Sequence, residues 1–162
     1  ECSWSRGLGD VYKRQLMERR DFKPEDFKVL HPGGNLGLQM LTVSQLMRNK
    51  TEMAIVKDDL TMSAVVSCMT QSGFGVAILV DENGILSGII TDGDLRRNIN
   101  DILSLSPRDI ATLNPTSVQP TDLVSVALEK MEKSKVYAIV VIEDDKPIGL
   151  LRMHDVLRSG IK

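Results

Sequence analysis

Aromatic residues are scarce in this sequence and make up only 4% of its 162 residues. Stacking platforms for nucleic-acid bases are built from aromatic side chains, so this shortage argues against a nucleic-acid partner. The formal net charge of −2 points the same way, because it supplies no basic field for a phosphate backbone. Two cysteines are too few for a disulfide framework, which makes the reducing cytoplasm the expected location.

Long hydrophobic runs are also missing. The longest apolar runs, Val76–Val80 and Ala138–Ile142, have five residues each. A helix that crosses a bilayer needs about 20 apolar residues, so no membrane partner is predicted. Hydrophobic residues make up 42% of the sequence and charged residues 26%, which is typical of a globular protein.

A short stretch that occurs twice organises the chain. Gly88–Asp94 reads Gly-Ile-Ile-Thr-Asp-Gly-Asp, and Gly149–Asp155, 61 residues later, reads Gly-Leu-Leu-Arg-Met-His-Asp. Each copy is predicted to be the end of a buried strand and a polar turn that opens a helix. The free amide groups and the dipole of such a helix start favour the binding of a ribose or a phosphate. We call these two stretches the first turn and the second turn.

The two turns belong to a longer internal repeat. From about Leu60 onward the copies match at a constant offset of 61, which pairs Val65 with Val126. The beginnings of the copies match at an offset of 67, which implies about six extra residues in the first copy near Arg48–Ile55. Each copy is predicted as helix–strand–helix–strand–strand–helix. The predicted fold class is therefore α/β (α+β), with two tandem repeats that each form a small β-sheet with flanking helices, related by a pseudo-twofold and separated by a cleft.

The pattern also predicts individual elements of the first copy. Arg48–Glu52 is expected to be a polar loop, and Asp92–Ile102 a helix that directs Ile99 inward. Thr91 and Asp92 are expected to cap that helix. The preceding helix is expected to be capped by Asp58-Asp59 and to have an apolar face of Met62, Val65, Val66 and Met69.

These features resemble a tandem pair of CBS domains (a Bateman module), over about Val43–Lys162. The resemblance implies a regulatory module that binds adenosyl or other nucleotide-type ligands in clefts between the repeats. The family signature Thr-x-x-Asp, whose Thr and Asp contact ribose and phosphate, maps onto Thr91 and Asp94. Arg152 stands in place of the Thr in the second copy, and an arginine suits a phosphate or a carboxylate better than a ribose hydroxyl. The two clefts are therefore expected to be inequivalent.

The candidate ligand contacts come from both turns. The alternative for the first turn is simple helix capping, which is the commonest use of Thr and Asp at a helix start. No spacing of His and Cys matches a zinc pattern, so no metal site is predicted. The candidates are Thr91, Asp92, Asp94, Arg152, His154 and Asp155.

A narrower resemblance covers about Leu16–Lys162. Four strings carry it, and they read Phe-Lys-Pro-Glu-Asp-Phe, His-Pro-Gly-Gly-Asn-Leu-Gly, Thr-Asp-Gly-Asp-Leu-Arg-Arg and Met-His-Asp-Val-Leu-Arg-Ser-Gly-Ile. In order and spacing they are similar to the D-arabinose 5-phosphate isomerase family, in which a sugar-isomerase (SIS) domain precedes a CBS pair. The resemblance implies interconversion of D-ribulose 5-phosphate and D-arabinose 5-phosphate, the first step toward Kdo for lipopolysaccharide or capsule. It also implies that His31 reaches a sugar-phosphate site, where it acts as a catalytic residue only together with the SIS domain.

The expected organisation follows from both resemblances. Residues 1–15 are expected to be a disordered or non-native leader, residues 16–42 a linker from a missing SIS domain, and residues 43–102 and 103–162 the two CBS repeats. Without the SIS domain this chain is expected to lack isomerase activity. A homodimer through the CBS pairs is expected, within a tetramer of the parent enzyme.

Two functions remain open at this point. The first is a regulatory module that binds a nucleotide such as CMP-Kdo, AMP or ATP, with no cofactor required. The second is a structural dimerisation module with empty clefts.

Overall fold

The structure is a computed structural model, and it describes residues 40–160. The predicted leader, residues 1–15, and His31 lie outside the described residues, as does the predicted linker up to residue 39.

The described residues form six α-helices, eight β-strands and one short 3₁₀ helix. They follow one another as α1 (Val43–Leu46), β1 (Arg48–Asn49), the 3₁₀ helix (Lys50–Glu52), β2 (Ala54–Lys57), α2 (Met62–Ser72), β3 (Val76–Val80), β4 (Leu86–Thr91), α3 (Asp92–Arg97), α4 (Pro107–Ile110), β5 (Thr112–Leu113), β6 (Ser117–Val118), α5 (Val124–Ser134), β7 (Ala138–Glu143), β8 (Lys146–Arg152) and α6 (Met153–Gly160). The prediction of mixed α and β structure in two small sheets is confirmed. Among the described residues, no helix is long and apolar enough to cross a membrane.

Each sheet takes one strand from the other repeat. One sheet has the order β2-β3-β4-β5, and the other has the order β1-β8-β7-β6. The short strand β5 of the second repeat thus pairs with β4 of the first, and β1 of the first repeat pairs with β8 of the second. The prediction of a polar loop at Arg48–Glu52 is wrong, because Lys50–Glu52 form the 3₁₀ helix and Arg48 and Asn49 form β1. Their strand character comes from a partner in the other repeat, which a local pattern does not reveal.

A glycine in each turn makes room for the exchanged strand. A Cβ atom on Gly149 would lie 2.7 Å from the carbonyl oxygen of Arg48 and 2.8 Å from the sulfur of Met47. The equivalent Cβ on Gly88 would lie 3.2 Å from the carbonyl oxygen of Thr112. Both glycines therefore serve the close approach of two backbones, and the approach is tighter in the second repeat.

The helix α1 is attached to the second repeat as well. Val43 is fully buried among core residues of that repeat. Its backbone nitrogen donates to the carbonyl oxygen of Asp122 at 2.8 Å, and the carbonyl of Leu41 accepts from Val124 at 2.9 Å. The segment that opens the first repeat thus completes the core of the second.

The buried apolar residues form three clusters, which explains how two small units support each other. One cluster lies in each repeat between sheet and helices. The third lies where the two sheets face each other, so that each repeat covers an apolar surface that the other would expose. Its fully or almost fully buried members are Met53, Phe74, Val76, Ile78, Ile89, Val140 and Leu150.

The helix α2 agrees with the sequence pattern in its buried face but not in its N-terminal cap. Three predicted apolar positions, Met62, Val65 and Met69, are buried as expected. The predicted Asp58-Asp59 cap is wrong, because Thr61 caps this helix and its hydroxyl accepts from the nitrogen of Ala64 at 3.3 Å.

The helix α3 is shorter than predicted. It ends at Arg97, and the side-chain amide of Asn98 donates to the carbonyl oxygen of Asp94 at 2.8 Å. A side chain that donates to a helix carbonyl oxygen in this way competes with the backbone N–H group that would continue the helix. Ile99 consequently lies outside the helix with 64% of its surface exposed, so the prediction that it faces inward is wrong.

Strand pairing corrects the alignment of the repeats. Gly88 stands opposite Leu79, and Gly149 stands opposite Val141. The offset of 61 therefore holds for the two turns but becomes 62 for β3 and β7, because the first hairpin is one residue longer. A slip of one residue moves every side chain to the other face of a strand, so the predicted gap-free match is wrong.

The offset at the head of the repeat is also smaller than predicted. Leu113 stands opposite Gly88, and Asn49 stands opposite Gly149, which sets this offset at 64 instead of 67. The first copy therefore has two extra residues between β1 and β2, not about six. One consequence matters for the site: Arg48 is the structural equivalent of Thr112.

Candidate functional site

The first turn is built around a buried carboxylate. Asp94 is 7% exposed, and one of its oxygens accepts hydrogen bonds from the nitrogen and from the hydroxyl of Thr91, both at 2.8 Å. The nitrogen of Asp94 in turn lies 3.4 Å from the hydroxyl oxygen of Thr91. This reciprocal arrangement is a capping box, so the predicted cap at Thr91 is confirmed, and Asp94 takes part in the cap from inside the first helical turn.

The second oxygen of Asp94 has an exposed partner. The guanidinium of Arg97 donates to it, and 70% of the Arg97 side chain is open to solvent. Because the guanidinium is already largely hydrated, Arg97 can move into solvent at small cost when a ligand donor replaces it at this oxygen. The first turn therefore offers a fixed acceptor whose protein partner is easily displaced.

Asp92 lies beside the loop that precedes β3. Its nitrogen donates to the carbonyl oxygen of Gly75 at 3.0 Å. A Cβ atom on Gly75 would stand 2.4 Å from a carboxylate oxygen of Asp92, and Gly75 also has a φ of +65°. The positive φ favours glycine at this position, and the absence of a Cβ lets the loop pack directly against Asp92 of the first turn.

The second turn holds its aspartate in a different way. Arg48 donates to one oxygen of Asp155 through Nε at 3.2 Å and through Nη2 at 2.8 Å. Arg152 donates to the other oxygen through Nε at 2.8 Å and to the first oxygen through Nη2 at 3.1 Å. We call these three residues the arginine clamp. Asp155 and Arg152 are 8% and 6% exposed, and removal of one partner from a buried ion pair typically costs about 3–5 kcal/mol.

The arginine clamp joins the two repeats. Arg48 comes from the first repeat, whereas Arg152 and Asp155 come from the second. The guanidinium of Arg152 also lies over the ring of Phe74, a buried residue of the first repeat, at 4.4 Å from the ring centre. A cation at this distance from an aromatic face is attracted to it. Arg152 is therefore held from both sides of the inter-repeat boundary.

The clamp sets the charges of the second turn. Burial by itself would raise the pKa of Asp155, but the hydrogen bonds from Arg152 and Arg48 outweigh it and hold that pKa below its usual range. Burial and then the charge of Arg152 lower the pKa of His154. At neutral pH the second turn therefore contains an ionised Asp155 and an uncharged His154.

Arg48 was not among the candidate residues from the sequence. A signal for it exists, because Thr42 and Ser106, 64 residues apart, each begin a short helix with the same type of capping box. An alignment on these caps pairs Arg48 with Thr112, but only the pairing of β1 with β8 brings Arg48 to the second turn. Among residues 40–160 there is no group of three or more His, Cys, Asp or Glu that could hold a metal ion.

Comparison with known proteins places these features in a family. The profile of the CBS domain matches residues 43–101 and residues 108–162. Arabinose 5-phosphate isomerase KdsD of Pseudomonas aeruginosa is 38% identical over 159 residues, an alignment that covers 95% of this chain and 49% of the relative. The chain thus spans about half the length of the curated relative that it matches, as it does for KdsD of Escherichia coli at 34% identity.

Solved structures share the fold at low sequence identity. The CBS domain protein PAE2072 from Pyrobaculum aerophilum, complexed with AMP, has a TM-score of 0.63 and 23% identity, and the match covers 71% of this chain and 89% of that one. The CBS domain pair of protein MJ0100, in complex with 5′-methylthioadenosine and S-adenosyl-L-methionine, has a TM-score of 0.67 and 19% identity, and covers 74% and 94%. The resemblance to CBS domain pairs and to arabinose 5-phosphate isomerases is confirmed by these matches. The chain belongs to the CBS domain family and carries two CBS domains in tandem.

Proposed function

We propose that this chain is a regulatory module that binds a nucleotide-type ligand at the first turn, through Thr91 and Asp94 with Asp92 beside them. The observation that carries the proposal is the buried carboxylate of Asp94, which Thr91 holds in place and whose other partner within residues 40–160 is the exposed Arg97. Ligands named for structures of the same fold support it. AMP, 5′-methylthioadenosine and S-adenosyl-L-methionine all contain a ribose.

The chemistry of the first turn suits such a ligand. Ribose hydroxyls donate hydrogen bonds, and an ionised carboxylate accepts about four of them. Once a ribose hydroxyl replaces Arg97 at Asp94, the guanidinium is released and can form charge-assisted hydrogen bonds with a phosphate. The exposed carboxylate of Asp92 lies beside this position, where it favours an uncharged or cationic part of the ligand over a second anion.

The proposal extends to the protein of which the chain is part. In this proposal the chain is the regulatory half of a D-arabinose 5-phosphate isomerase in Kdo and lipopolysaccharide biosynthesis, and the 38% identity to KdsD supports it. In such an enzyme His31 would act only with the SIS domain, and the chain alone would not turn over ribulose 5-phosphate. Control of the enzyme requires that the nucleotide binds two of its states unequally. Cytoplasmic location, dimerisation through the CBS pairs and a tetrameric parent enzyme belong to the same proposal.

A structural role is the second candidate function. It is favoured by the arginine clamp, which satisfies the buried charges of the second turn without any ligand. In this version both turns serve only to join the repeats and to hold a dimer together.

Thermal unfolding in the presence of nucleotides separates the two candidates. AMP, ATP, CMP and CMP-Kdo are each added to the purified chain. A ligand that binds only the folded chain stabilises it by about 2.7 kcal/mol at 100 times its dissociation constant. Stabilisation by at least one nucleotide is expected, and the absence of any shift would favour the structural role.

A matched pair of variants assigns the ligand to the first turn. Asp94→Asn removes the charge of the buried acceptor and is expected to abolish the shift. Asp109→Asn is the control, because Ser106 and Asp109 form a capping box like that of Thr91 and Asp94, with donor–acceptor distances of 2.9 Å and 2.7 Å to the carboxylate. Asp109 is exposed and carries no proposed ligand contact. Equal loss of the shift in both variants would attribute the effect to the caps and contradict the proposed site.

A further inference from the structure

The two repeats differ at two matched positions, one in the turn and one on the exchanged strand. Thr91 in the first turn corresponds to Arg152 in the second, and Thr112 on β5 corresponds to Arg48 on β1. Both arginines donate to Asp155. Two separate threonine-to-arginine differences thus act on one group, which indicates that they work together.

The carboxylate of Asp155 has no acceptor capacity left. It receives four hydrogen bonds from the two arginines, and an ionised carboxylate has about four lone-pair sites. Asp94 receives three hydrogen bonds from side chains and backbone of the described residues, and the one from Arg97 comes from an exposed group. A ribose hydroxyl therefore finds an available acceptor in the first turn and a saturated one in the second.

Burial makes the saturation of Asp155 hard to relieve. The side chain of Arg152 is 7% exposed and stacks on Phe74, so a ligand that took its place at Asp155 would leave a buried charge without its counter-ion. Arg97 in the first turn is 70% exposed and can swing away into water. Arg48 is intermediate, with 25% of its side chain exposed. The turns therefore differ mainly in that Asp94 has a displaceable arginine partner and Asp155 has the buried Arg152.

We propose that the arginine clamp excludes nucleotides from the second turn, so that the chain binds one nucleotide and Arg48 and Arg152 determine which turn receives it. This inference rests on the proposed function, since it takes the first turn as the nucleotide site. It assigns to Arg48 a role in selecting the ligand site, although Arg48 lies in the other repeat.

The decisive variant transfers the pattern of the first turn into the second. Arg48→Thr combined with Arg152→Thr gives the second turn the threonines that the first repeat has at the equivalent positions, Thr91 and Thr112. The new Thr side chain at position 152 can form the same capping box with Asp155, which replaces part of the lost hydrogen bonds. Isothermal titration with AMP, ATP and CMP then counts the sites in the wild-type chain and in the variant.

The expected result is one site in the wild type and two in the variant. Addition of Asp94→Asn to the double variant is expected to leave only the new site. Two sites in the wild type, or one site in both proteins, would overturn the inference while the proposed function stands. No site in the wild type and one in the variant would support the clamp and refute the first turn as ligand site, and no site in either protein would refute both.

If circular dichroism shows that the double variant does not fold, the opposite substitution provides the test, because it introduces one arginine of the clamp at the matched position beside the first turn. Thr112→Arg adds an arginine at the position equivalent to Arg48, and it is expected to weaken AMP binding at the first turn at least ten-fold. Leu113→Arg is the control, because it adds the same charge at the neighbouring exposed strand position. Equal affinity of wild type and Thr112→Arg would overturn the inference.

Discussion

The first turn and the second turn occupy equivalent places in the two repeats, yet they hold their buried aspartates by different means. Asp94 is bound by its own turn and by an exposed arginine, whereas Asp155 is bound by two arginines, one of which comes from the other repeat. The comparison shows that one backbone arrangement supports two uses. A carboxylate with a displaceable partner can serve a ligand, and a carboxylate with fixed partners serves cohesion between repeats.

The largest expected effect comes from the aspartates themselves. Asp155→Asn leaves the buried Arg152 without its counter-ion, so the free energy of unfolding should fall by about 3–5 kcal/mol. Asp94→Asn weakens a helix cap beside an exposed arginine and should cost about 1 kcal/mol. Urea denaturation of both variants measures the two values, and equal losses would remove the distinction between the turns.

Substitutions of the two glycines that stand opposite the exchanged strands should have the next largest effect on stability. Gly149→Ala places a Cβ atom 2.7 Å from the carbonyl oxygen of Arg48, and such overpacking should cost about 1–3 kcal/mol. Gly88→Ala brings the Cβ only to 3.2 Å from its nearest atoms and should cost less. The same denaturation experiment checks the order, and a larger loss at Gly88 would contradict the tighter approach in the second repeat.

The exposed arginines should have a small effect on stability. Arg97→Ala removes the exposed partner of Asp94, which keeps two hydrogen bonds from Thr91, and should lower the free energy of unfolding by about 0–1 kcal/mol. Its counterpart Arg158→Ala, on the exposed side of α6, serves as the control. A loss at Arg97 as large as that of Asp155→Asn would show that the partner of Asp94 is fixed, and the first turn would then resemble the second.

The smallest expected effect concerns His154. Its pKa is lowered in the folded chain by burial and by Arg152, so the unfolded chain binds its proton more readily. The uncharged His154 therefore contributes to the free energy of unfolding above the ordinary histidine pKa of about 6.5. This contribution is lost as the pH falls through the lower pKa of the folded chain. Wild type should therefore lose more stability than His154→Gln between pH 7 and pH 5, as measured by urea denaturation at each pH. A parallel pH dependence of the two proteins would show that His154 is not held uncharged.

Much of the fold was predictable because local chemistry decides it. Thr91 caps α3, and Met62, Val65 and Met69 form the buried face of α2, as periodicity and capping preferences require. The alignment of the repeats was less predictable, since a hairpin that is one residue longer in the first copy shifts one strand relative to its neighbour. Hydrophobic strands such as β3 and β7 tolerate that shift without a visible break in pattern.

The candidate site was predictable only in part. Asp94 and Asp155 stand out in the sequence because both copies keep an aspartate at the start of a helix. Arg48 does not stand out, because two residues form a strand there only through pairing with β8 of the other repeat. Its guanidinium reaches Asp155 across 107 residues of sequence, and no local pattern reports a contact of that separation.

The amino-acid sequence alone determined that the chain contains two copies of one unit, that each copy carries an aspartate at a helix start, and that Arg152 makes the copies unequal. Local hydrogen bonding and hydrophobic periodicity suffice for these features. Only the tertiary structure decided that the copies exchange β1 and β5 and that Arg48 and Arg152 share Asp155. The physical reason is that the displaceability of a buried charge depends on its surroundings from every side, and these surroundings come from both repeats.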